Sequence, residues 1–247
     1  MPRSPQQQLV DLLRDQLRST EGLDSSSCDV VSCGCADVDR LLPGQGFRRG
    51  ALIEWITATP AAGAATLALI AAREASRGGG ALVVIERSQQ FYAPAAAALG
   101  SDLANTIVIQ PQHQRDEHWA IDQSLRSRGV AAVWAHVDRL DNRTLRRWQL
   151  AAETSGCLGC FVRPPEVRGQ PSWAEVQLWI APAPAAQHRK IRVTVLRCRG
   201  GTGGASVLLS MDEITGTLQA CETNESSVVH LAPELAYPTP GVRAARA

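Results

Sequence analysis

The sequence predicts an α/β fold: a mostly parallel sheet with helices on both faces and an antiparallel C-terminal extension. Two observations support this fold class. Between residues 51 and 162, short apolar runs alternate with amphipathic or alanine-rich segments, a pattern typical of repeated strand–helix units. After residue 163 the strands alternate apolar and polar side chains, as antiparallel strands with one exposed face do.

The individual elements follow in order along the chain. Strands buried on both faces are apolar throughout, and the predicted ones span residues 51–56, 81–85, 106–109, 130–135 and 158–162. The helices between them are stopped by glycine or a turn, and they span residues 63–77, 93–99, 116–128 and 143–153. The antiparallel addition contains strands around 176–180 and 191–195, then a hairpin from 207–209 and 216–218.

The chain divides into three segments by composition. Residues 1–28 hold an amphipathic helix and a linker, with Leu9 and Leu13 on the apolar face of the helix. Residues 29–221 form the α/β core. Residues 222–247 are rich in Ser, Ala, Pro and Arg, which predicts a disordered tail.

Composition excludes several classes of protein. No run of about 18 apolar residues or apolar signal core is present, so we expect a cytoplasmic protein without a membrane partner. The net charge of +1 provides no overall attraction to DNA, and no basic–aromatic cluster indicates a dedicated groove for single strands. Lys190 is the only lysine, so a phosphate-loop or Schiff-base lysine earlier in the chain is excluded. Seven cysteines over this length indicate reduced thiols.

Several short stretches in a fixed order carry a family resemblance. They read SCGC at 32–35, VDRLL at 38–42, GFRRGALIE at 46–54, WAIDQSLR at 119–126, LRRWQLAAE at 145–153, and FVRP, QPS and RCRGG between 161 and 201. Together they resemble the RecA-type ATPase core, and within that superfamily the ImuA family, which is grouped with SulA-like proteins. ImuA proteins are accessory proteins of mutagenic translesion synthesis in bacteria.

The resemblance places a phosphate loop after the first core strand, but its key residues are replaced. Thr57 stands near the first loop glycine and Gly63 aligns with the last one. Ala64 then occupies the lysine position and Ala65 the position of the Mg²⁺-binding hydroxyl, while Thr66 comes one place later. A register shift would bring Thr66 into that role.

Two further positions of the ATPase site bear on the same question. His136 stands where the superfamily has its metal-binding aspartate, and Glu86 lies near the place of the water-activating glutamate. Without the lysine and the metal ligand, the electrostatic stabilisation of phosphoryl transfer is lost. We therefore expect no catalytic residues, no bound cofactor, no metal and no enzymatic activity.

The resemblance implies protein partners. They would be an inactive Y-family-like polymerase and the α subunit of an error-prone C-family polymerase, with DNA contacted only indirectly or weakly. A SulA-like division inhibitor that binds FtsZ is the alternative, and a RecA-like ATPase is a weaker one. Self-association stays open.

Two groups of arginines are candidates for these interactions. Arg197 and Arg199 end a strand that presents basic residues to a neighbouring subunit in the superfamily. Arg143, Arg146 and Arg147 lie on the outer side of a predicted helix. Solvated arginines are the alternative interpretation of both groups. Leu9 and Leu13 of the N-terminal helix complete the predicted contact residues, and Trp134 and Trp148 are expected in the core.

Overall fold

The computed structural model of the protein describes residues 30–89, 91–184, 189–212 and 217–221. Its strands are β1 (Val30–Val31), β2 (Phe47–Arg48), β3 (Leu52–Thr57), β4 (Ala81–Ile85), β5 (Thr106–Ile109), β6 (Val130–His136), β7 (Leu158–Arg163), β8 (Val176–Ala183), β9 (Arg189–Cys198), β10 (Ser206–Met211) and β11 (Leu218–Ala220). Its helices are α1 (Ala36–Asp39), α2 (Ala64–Ser76), α3 (Ala93–Ala98), α4 (Gln114–Arg126) and α5 (Asn142–Ser155).

Nine of these strands form one sheet, in the order β11-β10-β9-β8-β3-β7-β6-β4-β5. The six strands from β8 to β5 are parallel, and β9, β10 and β11 continue the sheet in antiparallel fashion. The predicted fold class is therefore confirmed. Strand β7 lies between β3 and β6, so the ends of β3 and β6 are separated by one strand.

The direction of β8 differs from the prediction. Its alternating pattern indicated an antiparallel strand, but β8 is parallel to β3, with Val176 opposite Ile53. The antiparallel part begins between β8 and β9. Alternation of apolar and polar residues indicates that one face of a strand is less buried, but it does not indicate whether the strand is parallel or antiparallel to its neighbour. Direction is set by the connection over residues 164–175, which returns the chain to the amino edge of the sheet.

Helices cover both faces of the sheet. On one face, α2 packs its buried Leu67 and Ala71 against apolar side chains that include Ile53 and Trp55 of β3. On the other face, α4 and α5 enclose a core in which the Trp148 and Phe161 rings lie 5.3 Å apart. Trp148 is fully buried and Trp134 nearly so, as predicted.

Boundaries of the central elements agree with the sequence pattern within a few residues, and β4 and β5 match it completely. The short elements β1, α1 and β2 escaped prediction because two to four residues show no periodicity. The amphipathic helix predicted within residues 1–28 and the tail at 222–247 lie outside the described residues. Among the residues that are described, no helix is both long and apolar enough to cross a membrane.

Candidate functional site

The connection between β3 and α2 forms a tight turn at the carboxyl edge of the parallel strands. The hydroxyl of Thr57 donates a hydrogen bond to the carbonyl of Thr59, and the Ala62 amide donates to the same carbonyl at 2.9 Å. Gly63 precedes α2 with φ +96°, a left-handed conformation that glycine adopts without strain. The turn therefore closes on itself through its own backbone.

Side chains from β9 cover this turn. A Cβ atom placed on Gly63 would lie 2.7 Å from Cδ1 of Ile191, so the strand side chain contacts the turn directly. The guanidinium of Arg189 donates a hydrogen bond to the carbonyl of Ala61. This guanidinium is thus bonded to a backbone oxygen of the turn itself.

The first turn of α2 holds Ala64 and Ala65, which occupy the lysine and hydroxyl positions of the phosphate loop, followed by Thr66. Ala64 is buried, and Ala65 and Thr66 are half-buried. The carbonyl of Ala65 accepts a hydrogen bond from the Trp134 indole at 3.1 Å, which joins α2 to β6. Alanine side chains carry neither a charge nor a metal-binding oxygen, so α2 begins without the groups that would neutralise a triphosphate.

His136 ends β6 on the same face as Trp134, and their rings lie 5.0 Å apart in an edge-to-face arrangement. Burial lowers the pKa of His136, and the negative charges of Glu86 and Asp138 only partly oppose this. A lowered pKa favours the neutral imidazole near pH 7. Asp138, two residues later, is 73% exposed and lies 3.8 Å from the guanidinium of Arg87.

Glu86 is fully buried at the end of β4. Its two oxygens accept hydrogen bonds of 3.0 Å each, one from the Ser88 hydroxyl and one from the Phe91 amide. Both bonds tie the carboxylate to the segment that follows β4, so its oxygens are engaged in local structure. In the described part of the chain, no three His, Cys, Asp or Glu residues form a group able to hold a metal ion.

Arg197 and Arg199 lie at the opposite edge of the sheet from the β3–α2 turn. Because β9 is antiparallel to β8, its last residue, Cys198, pairs with the first residue of β8. Arg197 donates a hydrogen bond to the carbonyl of Ser172. Arg199 lies 4.0 Å from the carboxylate of Glu153 at the end of α5.

Two more residues complete this charged cluster at the amino edge. Arg48 donates to Glu175 at 2.7 Å and lies 3.6 Å from Glu153. Arg197 and Arg199 remain exposed at their side chains despite these contacts. Arg199 therefore belongs to a chain of ion pairs with Glu153, Arg48 and Glu175, and Arg197 lies beside it at the end of β9. We name Arg48, Glu153, Glu175, Arg197 and Arg199 the amino-edge cluster.

The three arginines of α5 have different surroundings. Arg143 is exposed, whereas Arg146 is half-buried with its guanidinium 4.5 Å from the centre of the Trp173 ring. Arg147 forms an ion pair of 3.0 Å with Asp122 of α4. Among the described residues, Arg146 and Arg147 thus have side-chain partners, whereas the side chain of Arg143 has no ion pair or ring contact. Leu9 and Leu13 lie outside the described residues.

A row of buried polar side chains crosses the sheet and was missed by sequence reasoning. Glu54 of β3 accepts a hydrogen bond of 2.8 Å from Gln177 of β8 and lies 3.2 Å from Nε of Arg163 of β7. Each of the three is at most 6% exposed, and they border a cavity of about 340 Å³. Burial lowers the pKa of Arg163, against the charges of Glu54 and Asp138.

Glu54, Arg163 and Gln177 lie in strands whose other buried residues are mostly apolar. Only the pairing of β3 with β7 and β8 brings the three side chains together, and no sequence motif signals it.

Four of the cysteines lie in the core of the fold. Cys33, Cys35, Cys157 and Cys160 are buried, and burial raises the pKa of each.

Comparison with known proteins agrees with this architecture. No family model matches the chain. Protein ImuA of Caulobacter vibrioides is 29% identical over 207 residues, spanning 74% of this chain and 84% of ImuA. RecA of Petrotoga mobilis is 32% identical over 113 residues, which cover 46% of this chain and 30% of RecA.

Among solved structures, the fold resembles that of the RadB recombinase. The TM-score is 0.63 at 16% identity, over 78% of this chain and all of the recombinase chain. At this identity the likeness concerns the fold alone. The resemblance to ImuA and to the RecA-type core is confirmed.

Proposed function

We propose that this homologue of ImuA, built on a RecA-type core, is a non-catalytic accessory protein of mutagenic translesion DNA synthesis. It would act in the cytoplasm as part of the DNA-damage response, by holding protein partners together. Those partners would be an inactive Y-family-like polymerase and the α subunit of an error-prone C-family polymerase. Its action is surface complementarity and not turnover.

The observation that carries the non-catalytic assignment is the state of the β3–α2 turn. The turn has alanine at the lysine position, and Ile191 and Arg189 of β9 contact it from above. The Trp134 indole joins the first turn of α2 to β6, and a neutral His136 ends β6 where a metal-binding carboxylate would be needed. Phosphoryl transfer depends on cations at the β- and γ-phosphates, and these residues do not supply them.

The amino-edge cluster supports a binding role. Its five charged side chains lie at the edge of the sheet that faces away from the β3–α2 turn. Arginine is common in protein interfaces because its planar guanidinium binds carboxylates in a bidentate manner. Arg197 and Arg199 are exposed. Within the described part of the chain, the side chain of Arg197 bonds the Ser172 carbonyl and that of Arg199 forms a 4.0 Å ion pair with Glu153. Both can therefore be recruited by a partner without breaking the core.

The first experiment tests the absence of catalysis. A fluorescent ATP analogue is titrated with the full chain, with and without Mg²⁺, beside an ATPase assay. We expect no saturable binding in the micromolar range and no hydrolysis above buffer. Mg²⁺-dependent, saturable binding would overturn the interpretation of the β3–α2 turn.

The second experiment tests the partners. The tagged chain is co-expressed with each polymerase subunit of its own organism and with FtsZ, and retention is measured after nuclease treatment. We expect retention of the Y-family-like subunit, reduced in Arg197→Ala/Arg199→Ala. Arg192→Ala is the matched control because Arg192 is an exposed arginine further back on β9. Retention of FtsZ alone would refute the polymerase assignment.

A further inference from the structure

A groove on the α4–α5 side of the molecule combines an exposed tryptophan with arginines from three separate segments. Arg115 and Trp119 of α4, Arg139 and Leu140 of the β6–α5 connection, and Arg147 of α5 line a cavity of about 810 Å³. Its volume falls within the range of roughly 300–1,000 Å³ that is typical of ligand sites. We name it the Trp119 groove.

We propose that the Trp119 groove binds a short stretch of single-stranded nucleic acid, with a base stacked on the Trp119 indole and phosphates held by Arg115 and Arg139. This inference goes beyond the accessory role, since it concerns a ligand that the chain contacts by itself. It departs from the sequence-based expectation of indirect or weak DNA contact, because the fold assembles a basic–aromatic cluster from separate segments. It rests on the exposure of the aromatic ring, the state of the surrounding charges and the rigidity of the groove walls.

The exposure of Trp119 is the first argument. Its side chain is 65% exposed, whereas the next two residues of α4, Ala120 and Ile121, are buried in the core. Stacking of a base on an exposed aromatic ring stabilises single-strand binding and tolerates any sequence. Arg115 lies four residues earlier on the helix and so on the same face.

The charges in the groove are the second argument. Neither Arg115 nor Arg139 forms an ion pair with any of the described residues, in contrast to Arg147, which pairs with Asp122. The two carboxylates of the groove have other partners. Asp122 forms ion pairs with Arg126 and Arg147. Asp141 accepts two hydrogen bonds from Thr144. Two guanidinium groups are thus left for an anion, and guanidinium matches phosphate in a bidentate manner.

The walls of the groove are held in place, which is the third argument. The carbonyl of Arg139 accepts a hydrogen bond of 3.2 Å from the Gln114 side chain, which ties the β6–α5 connection to the start of α4. The His118 ring packs edge-on against the buried Trp148, with centroids 5.4 Å apart. A site held in this way loses little conformational entropy when a ligand binds.

The lining favours a nucleic acid over an acidic peptide. Trp119 and Leu140 are the only apolar residues among the described residues that line the groove. A protein partner needs an apolar patch at the centre of its interface, and this groove does not offer one. A single strand requires only one stacking surface and phosphate contacts, both of which are present here.

The test is the binding of a fluorescein-labelled oligodeoxythymidylate to the full chain, measured by anisotropy at several salt concentrations. We expect Trp119→Ala to weaken binding about ten-fold and Trp119→Phe to weaken it less, because a phenyl ring still stacks. Arg115→Ala/Arg139→Ala should weaken binding and reduce the slope of log K against log salt by about 1.4, for two lost phosphate contacts.

Matched controls lie outside the groove. Tyr92→Ala removes an aromatic side chain that is 68% exposed, and Arg128→Ala removes an exposed arginine near the other end of α4. Each should change affinity less than two-fold, and thermal melts should show that every variant is folded. Three results would overturn the proposal: no binding by the wild-type chain, control variants as damaging as Trp119→Ala, or competition by polyglutamate as strong as by unlabelled oligonucleotide. The last result would assign the groove to an acidic peptide.

Discussion

Arg163→Ala is predicted to destabilise the protein strongly through the carboxylate that it leaves behind. Arg163 is 5% and Glu54 2% exposed, and Nε of Arg163 lies 3.2 Å from the Glu54 carboxylate. In the variant, that carboxylate would keep the hydrogen bond of 2.8 Å from Gln177 but lose its neighbouring positive charge. An uncompensated buried charge costs about 3–5 kcal/mol of unfolding free energy.

The double variant Glu54→Leu/Arg163→Met removes both charges and keeps apolar volume in the sheet. We expect its stability to lie within about 2 kcal/mol of wild type, because an apolar pair avoids the desolvation of two ions. Arg77→Ala is the surface control. Arg77 pairs with Glu74 at 2.8 Å while remaining 64% exposed, so its removal should cost less than about 1 kcal/mol.

Urea unfolding followed by far-UV circular dichroism measures these differences. With a slope of about 3 kcal/mol per molar urea, the loss expected for Arg163→Ala lowers the midpoint by roughly 1–1.7 M. Glu54 borders a cavity of about 340 Å³, and water entering that cavity in the variant would solvate the carboxylate and reduce the loss. A loss of unfolding free energy in Arg163→Ala no larger than that in Arg77→Ala would contradict this prediction. A double variant as unstable as Arg163→Ala would contradict it as well.

Three further predictions concern separate parts of the molecule. Gly63→Ala should destabilise the fold by about 1–3 kcal/mol more than Gly156→Ala, and urea unfolding of the two variants measures the difference. Both glycines have positive φ, but only a Cβ at Gly63 would meet a neighbouring side chain. Asp141→Ala should cost about 1 kcal/mol by removing the cap of α5. Hydrogen bonds from the backbone and side chain of Thr144 lower the pKa of Asp141. The charged cap therefore stabilises the fold fully above the unfolded pKa of about 3.9, and this stabilisation is lost as pH falls through the folded pKa. A destabilisation by Asp141→Ala that stays unchanged from pH 7 to pH 2 would contradict this. Burial raises the pKa of the Cys157 thiol to about 12, so it should resist Ellman's reagent at pH 8 until the protein is unfolded, and reaction in the native state would refute its burial.

The position of the central elements was predictable because their signals are local. Buried strands such as β4 and β5 are apolar runs bounded by turn residues, and their observed bounds equal the predicted ones. Helix α4 runs over Gln114–Arg126 and not over 116–128, since Ser127 is already extended before Gly129. A glycine thus indicated that the helix ends nearby but did not identify the last helical residue.

The candidate sites were predictable only in part. The replacement of the phosphate-loop lysine by Ala64 is a fact of sequence, but the contact of Ile191 and the bond from Arg189 depend on how β9 lies over the turn. Of the predicted arginines, Arg146 is half-buried and the other four are exposed. Their individual partners, such as Trp173 for Arg146, are distant in sequence and have no local signal.

Local sequence patterns located the longer strands and helices, and residue identity excluded a lysine-dependent phosphate site, because both are properties of short segments. The tertiary structure decided the direction of β8, the buried row of Glu54, Arg163 and Gln177, and the groove in which Trp119 meets Arg139. These residues lie far apart along the chain: 14 positions for Arg163 and Gln177, 20 for Trp119 and Arg139, and 123 for Glu54 and Gln177. The members of each pair also belong to different elements of the fold. The order and direction of strand pairing bring them together, and no local pattern records that order.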